Sequence, residues 1–194
     1  PGGADGMAVA LVASLILLQA TYFGCTVNPG PTHANLSCDT YPEMLPGIGV
    51  ALQGLNRNTN LMTTAFARTV GGPGTKTILY EAAALSLVGV TSGIALMEGV
   101  QSAVGVQNAH CTGLEARFLA QVVHAAEKLT RKDAAPIVKA LTETYRDDMM
   151  KPEKPIGKPF DQLYDVVKVM PMPEWQGVYE EVCQEFNKEF GLKL

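Results

Sequence analysis

Residues Ser92 to Arg117 read SGIALMEGVQSAVGVQNAHCTGLEAR and carry the clearest structural signals of the sequence. We predict a buried β-strand at residues 93–97, because this segment is short, apolar and followed by a turn signal. A loop rich in glycine and polar residues comes next. Thr112 and Glu115 then form a capping box, which indicates the start of an α-helix. Strand, loop and helix in this order are the repeating unit of parallel α/β proteins.

Two similar units precede this stretch. Hydrophobic patterning predicts helices at residues 7–19, 41–58 and 76–90 and strands at residues 22–27 and 61–67. Pro46 predicts that the second helix is broken or begins late. The run GGPGT at residues 71–75 is compatible with a phosphate cradle, but Thr75 is a good N-cap, which favours a tight structural turn.

The chain beyond residue 130 is predicted to be mainly helical. We expect one helix to begin near Asp133, an extended connector at residues 151–159, and a last helix at residues 173–190. Trp175 and Phe186 fall on the inward side of this last helix, and Gly191 suits its end. These helices would pack on the outside of the core.

The alternation of helices and strands predicts an α/β fold in which helices cover both faces of a parallel sheet. A (β/α)₈ TIM barrel fits best, with this chain supplying about its last three βα units; a doubly wound open sheet is the alternative. We assign residues 1–130 to the barrel units and residues 131–194 to the outer helices. Because the chain begins with Pro1, we interpret it as a fragment or a processed product.

Composition narrows the function classes. The net charge is −4 and no basic cluster is present, which argues against a nucleic-acid partner. The four cysteines include no CxxC pair, so a reduced, cytoplasmic protein is the simplest interpretation. Cys25, His33 and Cys38 are close enough in sequence to consider as metal ligands. Buried thiols are the favoured alternative, and we predict no metal site.

Residues 7–24 carry no charge, and their length would admit a membrane span or a secretory signal. No Lys or Arg precedes them, although a signal peptide needs a positive N-terminal region. We therefore predict a buried helix followed by a buried strand and no membrane contact. An exported or membrane-anchored protein beginning at Met7 is the alternative.

Candidate site residues follow the predicted strands, since parallel α/β folds place their chemistry at the carboxyl ends of strands. Asn28 and His33 follow the first strand, Arg68 follows the second, and Glu98 and Gln101 follow the third. His33 is the titratable group of its loop near neutral pH, although a lone histidine is more often structural. Apolar surroundings would raise the pKa of Glu98 and make it a proton carrier; accepting backbone hydrogen bonds is the structural alternative.

Four segments carry a resemblance to a known family: residues 92–117 around Glu98, GPTH at residues 30–33, GGPGT at residues 71–75 and YDVVKVMPMPEWQGVYEEV at residues 164–182. Together these segments resemble the C-terminal half of archaeal monomethylamine methyltransferases. The resemblance implies a (β/α)₈ barrel in a cytoplasmic homo-oligomer. It also implies methyl transfer from monomethylamine, or a related methylated amine, to the cobalt of a separate corrinoid protein, with no cofactor bound directly.

The same resemblance defines what this chain lacks. In that family pyrrolysine binds and activates the amine, and its position lies in the half that precedes this sequence. The family also has Gln-Tyr-Tyr where Phe66, Ala67 and Arg68 stand here. This difference suggests a divergent methyltransferase with another methyl donor, or a non-catalytic barrel subunit that docks a corrinoid protein. For an enzyme, we predict Glu98 and His33 as catalytic residues and Asn28, Arg68 and Gln101 as substrate-binding residues.

Overall fold

The computed structural model describes residues 2–22, 24, 26–28 and 30–194. Its main elements begin with two helices, alternate between strand and helix from residue 64 to residue 126, and are mostly helical beyond it. In chain order they are α1 (Gly3–Thr21), α2 (Leu45–Asn58), β1 (Thr64–Arg68), α3 (Lys76–Thr91), β2 (Leu96–Gln101), a 3₁₀ turn (Ala103–Gly105), α4 (Gly113–Ala126), α5 (Arg131–Met150), α6 (Phe160–Leu163), β3 (Tyr164–Asp165), β4 (Met170–Pro171) and α7 (Pro173–Phe190).

The parallel arrangement predicted from the sequence is present. β1 and β2 pair in parallel, and Val27 adds a parallel bridge to Thr63, just before β1. The predicted strand at residues 22–27 is wrong in extent, because among the described residues only Val27 pairs; Phe23 and Cys25 lie outside them. Three parallel segments therefore run side by side, each followed by a loop at its carboxyl end.

The predicted boundaries of the other two strands need correction. β1 begins later than predicted and ends on Arg68. β2 covers Leu96–Gln101 instead of residues 93–97. The Asn56 amide donates to the carbonyl oxygens of Ser92 (2.9 Å) and Gly93 (2.8 Å), which holds the start of the apolar run in a turn. Hydrophobicity identified the segment, but its first residues form the turn that ends α3, where the Ile94 amide donates to the Gly89 carbonyl at 3.0 Å and Asn56 adds its two bonds.

α3 is the central helix of the structure. It contacts α2, α4, α5, α7 and both parallel strands, and residues 82–84, all alanines, are fully buried. The Thr75 side chain accepts a hydrogen bond from the Ile78 amide, so the GGPGT run ends in the predicted N-cap. α2 begins at Leu45 with Pro46 in its first turn, which confirms the predicted late start.

α1 differs from the buried helix that was predicted. It packs on α2 through Ala8, Leu11 and Leu15, whereas Val9 and Leu17 are well exposed. Among the described residues, α1 alone is long and apolar enough to cross a membrane by length and composition. A core helix or a signal sequence satisfies the same two criteria, so this property does not place the chain at a membrane.

The C-terminal helices follow the sequence prediction closely. Thr112 and Glu115 form the predicted capping box of α4. α7 covers the predicted residues 173–190, ends at Gly191 and buries Trp175 completely. The Trp175 indole Nε1 donates to the Thr112 hydroxyl at 2.9 Å, which ties α7 to the start of α4.

Replacing Trp175 with phenylalanine tests this connection. We expect Trp175→Phe to lower the free energy of unfolding by about 2 kcal/mol, because it removes a buried hydrogen bond and part of a fully buried ring. Urea denaturation measures the change. The control is Tyr22→Phe, at a side chain that is 68% exposed, where we expect a change within about 0.5 kcal/mol. Equal losses in the two variants would contradict the assignment.

Candidate functional site

Four of the five residues predicted for the site lie on one surface of the parallel strands. The Asn28 amide donates to the Glu98 carboxylate at 3.4 Å, and Arg68 Nε donates to the Gln101 side-chain oxygen at 2.9 Å. Gly30 joins the two pairs. A Cβ atom at Gly30 would lie 3.8 Å from Asn28 Oδ1 and 4.0 Å from Arg68 Nη2. We call Asn28, Arg68, Glu98 and Gln101 the polar face.

Glu98 occupies an irregular position that the sequence did not indicate. It was predicted to follow a strand, but it lies within β2. Ala65 pairs with Met97 and Phe66 pairs with Gly99, so Glu98 is the extra residue of a β-bulge. Gly99 has φ of 141°, which glycine adopts readily. Bulges often occur beside active sites, where they redirect a side chain.

Arg68 is held by neutral partners on three sides. Besides its bond to Gln101, its guanidinium donates to the Thr32 hydroxyl and lies 5.1 Å from the centre of the Phe66 ring. Ala67, which lies between Phe66 and Arg68 in the sequence, is fully buried. Of the three positions where the resembling family has Gln-Tyr-Tyr, residues 66 and 68 therefore contact each other on the side of the polar face.

The polar face carries two opposite charges that do not neutralise each other. Within the described part of the chain, neither Arg68 nor Glu98 belongs to a salt bridge. Glu98 is exposed and accepts from a neutral amide, so the apolar surroundings expected from the sequence are not found around it. Charged groups with neutral partners retain their capacity to bind a charged ligand.

His33 makes no hydrogen bond with the polar face within the described residues. Its ring Nδ1 accepts from the Leu36 amide at 3.2 Å, its backbone N–H donates to the Cys38 carbonyl at 2.7 Å, and its ring centre is 4.5 Å from that of Tyr41. These are contacts within its own loop and with the residues that follow it. The sequence also allowed a metal site formed by Cys25, His33 and Cys38, but Cys25 lies outside the described residues. Among the residues that are described, no group of three or more His, Cys, Asp or Glu side chains is placed to hold a metal ion.

Two buried carboxyl groups behind Arg68 were not selected from the sequence. Asp39 accepts from the Arg68 amide at 2.9 Å, and its own amide donates to the Arg68 carbonyl at 3.2 Å. Burial raises the pKa of Asp39 to about 8, although these backbone contacts and the Arg68 charge oppose the shift. Asp39 thus fixes the backbone of a polar-face residue from the interior.

Glu81 fixes the residues that follow Arg68. Its carboxyl group is fully buried and accepts from the amides of Val70 (2.9 Å) and Gly71 (2.7 Å) and from the Thr40 hydroxyl. Desolvation raises the pKa of Glu81 to about 7, and the three donors oppose that rise. Tyr145 completes the network by donating to the Thr40 carbonyl at 2.6 Å. We call Asp39 and Glu81 the buried acid pair.

Comparison with known proteins identifies the family. The family model of the monomethylamine methyltransferase MtmB matches residues 2–192. The chain belongs to this family. MtmB2 of Methanosarcina acetivorans and MtmB of Methanosarcina mazei are each 30% identical over 163 residues, which cover 84% of this chain and 35% of each relative. The chain therefore spans about a third of the length of these MtmB relatives.

The three-dimensional comparison agrees. The crystal structure of the Methanosarcina barkeri monomethylamine methyltransferase MtmB matches with a TM-score of 0.90 and 27% identity, over 96% of this chain and 40% of that one. A crystal structure of a hydroxylamine complex of MtmB matches equally well. The polar face and the buried acid pair are thus features of an MtmB-family chain with mixed helices and parallel strands.

Proposed function

We propose that this chain is the C-terminal part of a methyltransferase that moves a methyl group from a methylated amine to the cobalt of a corrinoid carried by another protein. The supporting observation is the polar face at the parallel strands of an MtmB-family chain. In this proposal residues 1–130 supply the last three units of a (β/α)₈ barrel, and residues 131–194 pack outside it. The complete protein acts as a cytoplasmic homo-oligomer.

The proposed reaction exchanges one bond for another. The C–N bond of the protonated methylated amine breaks, and its electron pair stays on nitrogen, so the demethylated amine leaves as a neutral molecule. The methyl carbon bonds to cobalt through two electrons that the reduced metal supplies. The corrinoid protein is therefore a second substrate, and this chain's own task is to hold the protonated amine in position.

Each polar-face residue has a role in this proposal. Glu98 binds the amine nitrogen and keeps it protonated, because a carboxylate favours a nearby cation. Asn28 orients Glu98 through the 3.4 Å contact. Arg68 and Gln101 bind the rest of the substrate. His33 acts indirectly, by holding the loop between Gly30 and Cys38 in shape.

Replacing Glu98 with glutamine tests the proposed enzyme. In the full-length protein supplied with its corrinoid partner, we expect Glu98→Gln to slow cobalt methylation by about 10²-fold or more, since the amide retains the shape but not the charge. The visible absorbance of the corrinoid follows methylation. Glu153→Gln, which changes an exposed glutamate of the 151–159 connector, is the matched control and should keep the original rate. An unchanged rate in Glu98→Gln would remove Glu98 from the reaction.

A second candidate is a non-catalytic subunit that docks a corrinoid protein. The observation that favours it is the pair Phe66 and Arg68, which fills positions where the resembling family has polar amide and phenol groups. A full-length protein that binds the corrinoid protein, yet methylates no cobalt with any methylated amine, would support this candidate over the enzyme.

A further inference from the structure

We infer that the polar face selects a donor that carries a carboxylate as well as a methylated amine, such as an N-methylated amino acid, in preference to methylamine itself. The inference rests on the proposed function for its choice of a methylated amine. It depends on the two separate charges of the polar face, on their spacing and on the lack of a side chain at Gly30.

The two charges are each held by neutral groups. Arg68 donates to the Gln101 amide oxygen and to the Thr32 hydroxyl, while Glu98 accepts from the Asn28 amide. None of these partners cancels a charge. The surface therefore presents one full positive and one full negative group to a ligand, and each is already oriented by a hydrogen bond.

The spacing of the charges suits a small zwitterion. Arg68 pairs with Gln101, whereas Glu98 is the bulge residue next to the paired residues Phe66 and Gly99. The two charged residues are thus two to three residues apart along the strands, a backbone offset of about 7–10 Å at 3.3 Å per residue. Both side chains are long enough to reach toward the space between them, where amine and carboxylate of one small molecule could bind together.

Gly30 borders that space and contributes no side chain to it. A Cβ atom there would lie within 4.0 Å of Arg68 Nη2 and within 3.8 Å of Asn28 Oδ1, the residue that contacts Glu98. Nη2 donates no hydrogen bond within the described chain, so this end of the guanidinium is available. Guanidinium groups bind carboxylates through two parallel hydrogen bonds, a geometry that a simple amine cannot supply.

Methylammonium would satisfy only half of this site. It can pair with Glu98, but it leaves Arg68 without an anion. A molecule with a carboxylate one carbon from its methylated nitrogen pairs with both residues at once. We therefore expect the carboxylate to add about ten-fold or more to the affinity, which is the usual discrimination from a further charge-assisted contact.

Binding without the corrinoid partner tests this inference. Isothermal titration of the full-length protein should show N-methylglycine binding at least about ten-fold more tightly than methylamine. Arg68→Gln should reduce this preference to less than about two-fold, and Arg68→Lys should retain part of it. Arg57→Gln, at an exposed arginine near the end of α2, should leave it unchanged. Circular dichroism confirms that each variant is folded.

The outcomes separate this inference from the proposed function. Equal affinities for N-methylglycine and methylamine, or a preference that survives Arg68→Gln in a folded variant, would overturn it. A clear preference without methyl transfer to any corrinoid protein would support the binding site and contradict the enzyme. Methyl transfer from methylamine together with equal affinities would support the enzyme and overturn the inference.

Discussion

Replacing Gly72 with alanine is expected to lower the free energy of unfolding by about 3 kcal/mol, which is severe for the addition of one methyl group. A Cβ atom at Gly72 would lie 1.7 Å from the Ile156 carbonyl oxygen and 2.4 Å from its carbon. Both atoms belong to the backbone, so no side chain can rotate away. The loop after β1 and the connector at residues 151–159 would have to separate.

This separation would also break hydrogen bonds. The Gly72 amide donates to the Pro155 carbonyl at 2.8 Å, and the Lys158 amide donates to the Pro73 carbonyl at 2.9 Å. Urea denaturation measures the stability of Gly72→Ala, and limited proteolysis should show faster cleavage within the connector. Gly177→Ala is the matched control, because Gly177 lies in α7 with no heavy atom within 4 Å of the added methyl.

The control variant should change stability in the opposite direction. Alanine in a helix is favoured over glycine by about 1 kcal/mol, so Gly177→Ala should be slightly more stable than the original protein. A Gly72→Ala protein with unchanged stability and an uncut connector would show that the two loops do not cross as closely as described.

The second large effect is expected at Glu81. Glu81→Ala should cost about 4 kcal/mol of unfolding free energy, because each of three buried donors loses its acceptor at about 1–3 kcal/mol, partly offset by relaxation. Glu81→Gln keeps one acceptor oxygen and should lose less. Urea denaturation of the two variants gives the comparison, and similar losses in both would show that the hydrogen bonds are not the cause.

The buried acid pair also predicts how stability depends on pH. The pKa of Asp39 rises from 3.8 to about 8 on folding and that of Glu81 from 4.5 to about 7. The folded protein therefore retains protons that the unfolded chain releases, so the contribution of this pair to stability is complete below about pH 4 and is lost as pH rises toward 8.

Glu81→Gln should flatten the part of this pH dependence between about pH 4.5 and 7, because glutamine does not titrate in that range. The titratable groups that interact with Glu81 in the interior are Asp39, Cys38 and Tyr145, and the charge of Arg68 acts on Asp39. Burial raises the pKa of Cys38 to about 12, so this thiol stays protonated throughout the range. A pH dependence that Glu81→Gln leaves unaltered would assign the effect to other groups.

The sequence revealed features whose causes are local. The capping box at Thr112 and Glu115, the late start of α2 at Pro46 and the end of α7 at Gly191 depend on residues within a few positions of each other. The parallel pairing of β1 and β2 also followed from the order of the elements. The caps and helix ends are determined by neighbours in the chain, which a single sequence displays directly, whereas the pairing was inferred from the alternation of helices and strands.

Features with distant causes were missed. Asn56 of α2 bonds to the turn that precedes β2, and Asp39 and Glu81, which lie on opposite sides of Arg68 in the sequence, both bond to the backbone around it. A lone acid within the apolar sequence of α3 was the available signal for Glu81. Asn28, Arg68 and Gln101 lie at or just after the ends of their strands, whereas Glu98 lies within β2 at a bulge and the position of His33 depends on contacts within its own loop.

The bulge at Glu98 changes which face of β2 each later side chain points to. In a regular strand, side chains alternate between the two faces, so residues three apart point in opposite directions. Glu98 and Gln101 are three apart, yet both contact partners that meet at Gly30. The extra residue resets the alternation. Without the extra residue, Glu98 would itself pair with Phe66 and Gln101 would still pair with Arg68, so the bulge lengthens the chain between these two side chains by one residue while both remain on the polar face.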